Sequence, residues 1–257
     1  MFPFFRRVRK KMADENKPLK YMRYAIGEIV LVVIGILIAL QINSWNEQRK
    51  LHAEEQYLLK ELLAEFNTNL KKINVDLTCN SNCQSASIEV LEMISNNSLI
   101  DNTDKLDSLF KQMFSYCSFN ASTGTLDEII ASGKLRVIRD KSLRNTLTQW
   151  PGWIENQQED IDIRRDQFNN HVGPYYIKYA PFKNGDNYID FSYWSAKYTR
   201  KTLSSSNFEY NYKALTSIEF EGMLYKYALD HDFVLLNDVE TEEFIRNVIK
   251  QIKNNIK

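Results

Sequence analysis

From Ile29 to Leu40 every position is apolar or glycine, an unbroken run rather than an amphipathic alternation. Carried out to Tyr24 and Trp45 it covers about 22 residues, roughly 33 Å of α-helix, against about 30 Å of bilayer hydrocarbon. A buried core helix or the apolar region of a cleaved signal peptide would show a similar run. Its length, and a polar and aromatic border at Gln41-Ile42-Asn43-Ser44-Trp45-Asn46 in place of a small-x-small cleavage site, favour a retained transmembrane helix.

After the run the period changes. Leu51, Leu58, Leu62 and Phe66, with Leu59, Leu63 and Leu70, recur at spacings of three, four and seven, so the transmembrane helix is expected to continue to about Leu77. Three shorter helical patterns follow, at Ile88, Leu91 and Ile94, at Leu106, Leu109, Phe110 and Met113, and at Leu126, Ile129 and Ile130. Ser132-Gly133 reads as a glycine C-cap, and Asp140 as the N-cap of a helix through Leu143 and Leu147. Trp150-Pro151-Gly152-Trp153 is expected to break or kink that helix. Ile154, Ile161 and Phe168 lie at heptad spacing within a charged stretch, which suits a helix packed along a narrow seam. Two more amphipathic helices are predicted, from Leu215 to Leu236 and from Phe244 to Ile252. The fold class is therefore mostly α: one N-terminal transmembrane helix continuing into an extracytoplasmic antiparallel helical bundle, with an aromatic-rich irregular loop near residues 175–198. The expected organisation is a basic cytoplasmic tail at 1–23, the transmembrane helix at 24–45 and an extracytoplasmic helical domain at 46–257.

Composition agrees with a packed helical domain. Of 257 residues 44% are hydrophobic and 12% aromatic, while eight glycines and five prolines are too few for the turns of a sandwich or barrel. Basic and acidic residues balance at 33 each, so no overall charge recruits nucleic acid. Local charge is lopsided. Arg6, Arg7, Arg9, Lys10, Lys11, Lys17, Lys20 and Arg23 precede the span, opposed by Asp14 and Glu15, whereas Glu54, Glu55, Glu61 and Glu65 soon follow it. By the positive-inside rule this orients the chain as a single-pass inner-membrane protein with a cytoplasmic N-terminus and a periplasmic C-terminal domain. The tail can also lie on the inner leaflet as a short basic amphipathic segment, and its length leaves any signal to be read by a partner.

Within the span, Glu28 is a costly intramembrane carboxylate. Gly35 and Ala39 fall within about 20° of it on the helical wheel and Asn46 on the same line, so Glu28, Gly35, Ala39 and Asn46 share one face. Gly35-x-x-x-Ala39 permits close approach of a second helix, pointing to a homodimer or a contact with another membrane protein; Glu28 can equally reach the headgroups or pair with Arg23. In the exported domain, Cys79 and Cys83 can close a small disulfide loop, leaving Cys117 free; Cys117 can instead pair with either, or bridge two subunits. No histidine lies near these cysteines in the sequence, so no metal site is expected. Tyr175, Tyr176, Tyr179, Tyr193 and Trp194 either line a groove for a protein, peptide or envelope ligand or pack back onto the bundle.

Catalytic signals are missing. His52, His171 and His231 are isolated, and Asp230-His231-Asp232, whose side chains point in different directions on a helix, reads as a solvated helix end. No catalytic residue and no cofactor is assigned. Two function classes follow: a membrane-anchored interaction or sensory module of the cell envelope, or an envelope enzyme, hydrolase-like, with a site in the bundle or the aromatic loop.

The segment Tyr24–Asn46 (YAIGEIVLVVIGILIALQINSWN) resembles the hallmark of a family of uncharacterised single-span membrane proteins of certain Gram-negative bacteria. Thr125–Ile138 (TLDEIIASGKLRVI) resembles a second motif of that family, a helix ending in Ser-Gly. The resemblance implies a domain of unknown function and supplies no catalytic residues.

Overall fold

The computed structural model describes residues 18–189 and 197–257. It is helical, with no strand among the described residues. Helix α1 runs Pro18–Ser95, α2 Thr103–Met113, α3 Gly124–Ala131, α4 Lys141–Gln167, α5 Gly173–Tyr179, α6 Tyr212–Leu215 and α7 Ile218–Asn255. A 3-10 turn at Lys134–Val137, a π-helical turn at Phe168–Val172 and a 3-10 segment at Phe182–Tyr188 complete the described elements. By compactness the chain divides into residues 1–57 and 58–257.

In the first unit α1 carries the apolar run on its surface. Every residue from Ile29 to Leu40 is exposed, and none of the most apolar 18-residue window is buried. This helix is long and apolar enough to cross a membrane.

In the second unit the buried line of α1 is heptadic: Leu59, Leu62, Phe66, Asn69, Ile73, Asp76, Asn80, Cys83, Ser87, Val90 and Ile94 are all buried. The helix does not end near Leu77 because its polar seam positions find partners. Asn69 donates to Ser122 O at 2.8 Å and accepts from Ser122 N at 2.7 Å, and Ser87 Oγ donates to Cys83 O at 2.9 Å. The pattern at Ile88 to Ile94 belongs to this same helix.

Two apolar clusters flank the polar positions. One joins Leu59, Leu62 and Phe66 of α1 to Leu126, Leu147 and Trp150, and to Phe244, Val248 and Ile252 of α7. The other joins Val90 and Ile94 to Leu106, Phe110, Met113, Tyr176, Phe220 and Leu224. Helices α4 and α7 are antiparallel, since Asn156 and Gln157 meet Asn237 and Asp238, Thr146 meets Gln251, and Asp140 meets Asn255. Pairs 66–150 and 80–164 give α1 and α4 the same direction.

Capping follows sequence chemistry. Asp140 Oδ1 accepts from Ser142 N and Leu143 N at 2.7 and 3.1 Å. Gly133 adopts φ 69° directly after Ser132, the left-handed conformation that glycine reaches at low cost. Glu65, on α1, supplies a cap from outside the element, accepting from Thr125 N at 2.6 Å and Leu126 N at 3.2 Å at the start of α3.

Three local expectations are corrected. Pro151 does not break helix α4, because Trp150 is fully buried between Phe66 at 5.3 Å and a parallel Phe244 ring at 5.7 Å, and that packing offsets the lost N–H of an exposed proline. The two C-terminal helices are one, α7, since Val234, Asp238 and Thr241 continue its buried face between them. The aromatic segment is largely helical where it is described, as α5 and the 3-10 turn Phe182–Tyr188.

Candidate functional site

Between the two apolar clusters lies a buried layer of polar side chains, drawn from α1, α4 and α7 at positions that an uninterrupted heptad would fill with leucine. Asn80 is its hub. Its amide nitrogen donates to Asp76 Oδ2 at 3.2 Å and to Asp238 Oδ2 at 2.8 Å, and its carbonyl oxygen accepts from Arg164. Gln157 donates to the other oxygen of Asp238. Arg164, the one buried Lys or Arg among the described residues, also donates to Cys117 O at 2.6 Å and faces His231 Nδ1 at 3.5 Å.

Burial sets the ionisation of this layer. Desolvation raises the Asp76 carboxyl to about 6 against the opposing charge of Arg164 and hydrogen bonds from Asn80, Phe119 and Ser118. Asp238 is pushed up to about 7 by burial and by the neighbouring Asp76. His231 is driven down to about 3 by burial and then by Arg164, so it is neutral at physiological pH. Because a guanidinium only donates, His231 Nδ1 is the acceptor and Nε2 carries the proton. That Nε2–H has no hydrogen-bond partner among the described residues, and the edge of Tyr227 packs at 4.7 Å.

The expected solvated end at Asp230-His231-Asp232 is therefore corrected: it is mid-helix, with His231 inaccessible and Asp230 buried. As expected of neighbours on a helix, the three side chains part company. Asp230 pairs with Lys226, His231 faces Arg164, and Asp232 accepts from Gln84 at 3.0 Å. None converges with another on a shared reacting position.

Beside the layer sit the three cysteines. Cys79 on α1 is bonded to Cys117, with Cα atoms 5.7 Å apart, and Cys83 is a buried free thiol. The expected Cys79–Cys83 loop is corrected: both lie on continuous helix, where i and i+4 Cβ atoms stand about 5–6 Å apart, beyond the 3.5–4.5 Å that a disulfide spans. The segment 114–123 that carries Cys117 is latched to α1 further along, where Lys72 Nζ donates to Asn120 O at 2.9 Å.

Of the five aromatics expected to line a groove, two are committed internally. Tyr176 is buried with its ring 4.1 Å from Phe110, and Tyr175 stacks on Phe220 at 5.5 Å with its hydroxyl against Ala214 O and Ser217 Oγ. Tyr179 leans on Tyr175 at 4.7 Å, and Tyr193 and Trp194 lie outside the described residues. On the transmembrane face Gly35 and Ala39 are exposed and Glu28 and Asn46 half-exposed; a Cβ added at Gly35 would meet no atom within 4 Å. Asp76, Asn80, Gln157, Arg164 and Asp238 were not singled out in the sequence, although the heptad from Leu59, extended by threes and fours, lands on Asp76, Asn80 and Cys83 in turn.

The polar seam of α1 and all three cysteines fall within one stretch that a family model matches. Residues 28–152 match a family of unknown function, DUF6090. The DUF6090 match opens at Glu28, just before the apolar run, and closes just past Trp150 and Pro151, so it takes in the run and the Ser132-Gly133 motif and stops short of Gln157, Arg164, His231 and Asp238. No curated protein and no solved structure matches the chain.

Proposed function

We propose that the chain is a single-pass inner-membrane protein, N-terminus cytoplasmic, whose periplasmic helical domain serves as a non-enzymatic interaction or sensory module of the cell envelope. The observation that carries this reading is the helix surface from Ile29 to Leu40, apolar on all sides and wholly exposed. A water-facing helix of that composition would forfeit about 25 cal/mol for each Å² of apolar surface left unburied, whereas lipid satisfies it. The excess of Lys and Arg before the span supports the orientation.

The non-enzymatic reading rests on the chemistry of the buried layer. His231, the one histidine in it, is neutral and inaccessible, and its neighbours are engaged in holding α1, α4 and α7 together. The bilayer is one partner. A second copy or another membrane protein is the other, docking on the face of Glu28, Gly35, Ala39 and Asn46, where the open surface at Gly35 supports close helix approach.

Two measurements test this. Alkaline carbonate washing of membranes should leave the protein in the pellet, and its release would contradict the anchor. Crosslinking of the full-length protein in membranes should trap a dimer or a membrane-protein adduct that Gly35→Leu and Glu28→Gln each weaken several-fold; adducts unchanged in both variants would contradict the association face while leaving the anchor intact.

A further inference from the structure

Cys83 lies one helical turn from Cys79, on the same face of α1, and both look toward the non-helical segment that bears Cys117. All three sulfurs lie within 4.8 Å of one another, and Cys83 Sγ approaches Cys117 Sγ to 3.4 Å while Cys117 is bonded to Cys79. A third sulfur in van der Waals contact with a disulfide is the encounter from which thiol–disulfide exchange proceeds once the attacking sulfur swings into line with the bond to be broken. We propose that Cys79, Cys83 and Cys117 form a thiol–disulfide exchange site in which Cys83 attacks Cys117 and displaces Cys79.

The step balances without an external oxidant. The Cys83 thiol gives its proton to solvent, its sulfur forms a bond to Cys117 Sγ, the Cys79–Cys117 bond breaks, and Cys79 leaves with the electron pair as a thiolate that takes up a proton. One disulfide and one thiol are present before and after. What changes is exposure: the buried thiol at Cys83 is exchanged for one at Cys79, which is half-exposed and stands next to Tyr116, the most exposed aromatic among the described residues. The reactant class that such a switch meets is a disulfide, of a small molecule or a protein, which the Cys79 thiolate attacks once to give a mixed disulfide and release a thiolate, a stoichiometric exchange without turnover that suits a sensory module.

The surroundings set the rate. Burial pushes the Cys83 thiol up to about 11, with Arg164 of α4 and Lys111 of α2 pulling it back and Asp76 of α1 opposing them. Tyr227 of α7 also faces it. The thiolate fraction therefore grows about tenfold per pH unit through neutrality, and exchange grows with it. Since Arg164 also holds Cys117 O, migration of the disulfide along α1 is felt by the buried layer.

The test uses the full-length chain in detergent micelles without reductant. Wild type incubated with a maleimide should accumulate label on Cys79, about a hundredfold faster at pH 9 than at pH 7, and Cys83→Ser should leave Cys79 unlabelled; label on Cys83 alone, no label, or equal labelling of Cys79 in Cys83→Ser would overturn the proposal. Independently, Cys79→Ser oxidised with diamide should form an intrachain Cys83–Cys117 bond, seen by non-reducing peptide mapping. Two free thiols, or disulfides only between chains, would overturn it. If Cys79→Ser does not fold, the wild-type and Cys83→Ser labelling pair decides alone.

Discussion

Asp238 and Arg164 carry the electrostatics of the buried layer, and each makes a distinct prediction. Removing Arg164 leaves Asp76, Asp238 and Asn80 without their shared cation or donor. Arg164→Met should cost about 3–5 kcal/mol at pH 8, where both acids are ionised, and less at pH 5, where protonation relieves them. Equilibrium urea unfolding at the two pH values checks this, and an equal loss at both would place the effect in packing instead.

Asp238 is raised from 3.8 to about 7, so its stabilisation is fully present below the unfolded value and is lost as pH climbs through 7. Asp76, raised to about 6, acts in the same direction. His231, lowered from 6.5 to about 3, acts oppositely, and its contribution is lost as pH falls below 6.5. Two acids outweigh one base, so the domain should be more stable at pH 5.5 than at pH 8. Asp238→Asn should shrink that difference by about 2 kcal/mol. The variant is accommodated because Gln157 Oε1 lacks a partner among the described residues: turning that amide lets it accept from the new Asn while Asn80 still donates to the new carbonyl oxygen. An unchanged pH profile in Asp238→Asn would mean that Asp238 is ionised in the folded protein across that range.

At the scale of elements, periodicity was legible in the sequence wherever the seam stayed apolar, and it was lost where the seam turned polar. Leu59, Leu62 and Phe66 announce α1, but Asn69, Asp76, Asn80, Cys83 and Ser87 sit on the same buried line and read locally as the end of a helix. Asn69, Asn80 and Cys83 find partners 29 to 158 residues away, which no local window contains. The same reason split α7 at Asp238 and Thr241. Caps were legible because they are local: Asp140 and Ser132-Gly133 stand where the sequence put them. Of the candidate site, the cysteines and His231 were visible as residue types, whereas their pairing and burial followed from helices longer than expected.

Pro151 belongs to this scale too. It sits inside α4 with its ring exposed and removes one donor from the helix ladder, while the adjacent Trp150 anchors the helix in the core. Pro151→Ala should therefore stabilise the domain by about 2 kcal/mol, the restored hydrogen bond exceeding the gain in unfolded-chain entropy, and raise the melting temperature by several degrees. Calorimetry showing an equal or lower melting temperature would mean that Pro151 fixes a helix shape on which Trp150 packing depends.

For the molecule as a whole, the anchor and the domain pose separate questions. The DUF6090 match spans part of each, from Glu28, just before the apolar run, to Gly152 in α4, so the matched residues include the whole run and the cysteine-bearing stretch of α1. The proposed association face and the proposed exchange site lie in different units, and each can fail without the other. The orientation in the membrane underlies the reading of both, because an exported domain meets the oxidising environment in which a disulfide persists.

The most direct test of that orientation uses two reporter cysteines in the full-length protein expressed in cells: Lys17→Cys before the span and Ile218→Cys at a site that is 88% exposed on α7. A membrane-impermeant maleimide added to intact spheroplasts should label residue 218 at once and residue 17 only after lysis. Labelling of residue 17 in intact spheroplasts, with residue 218 protected until lysis, would contradict the account and place the helical domain in the cytoplasm.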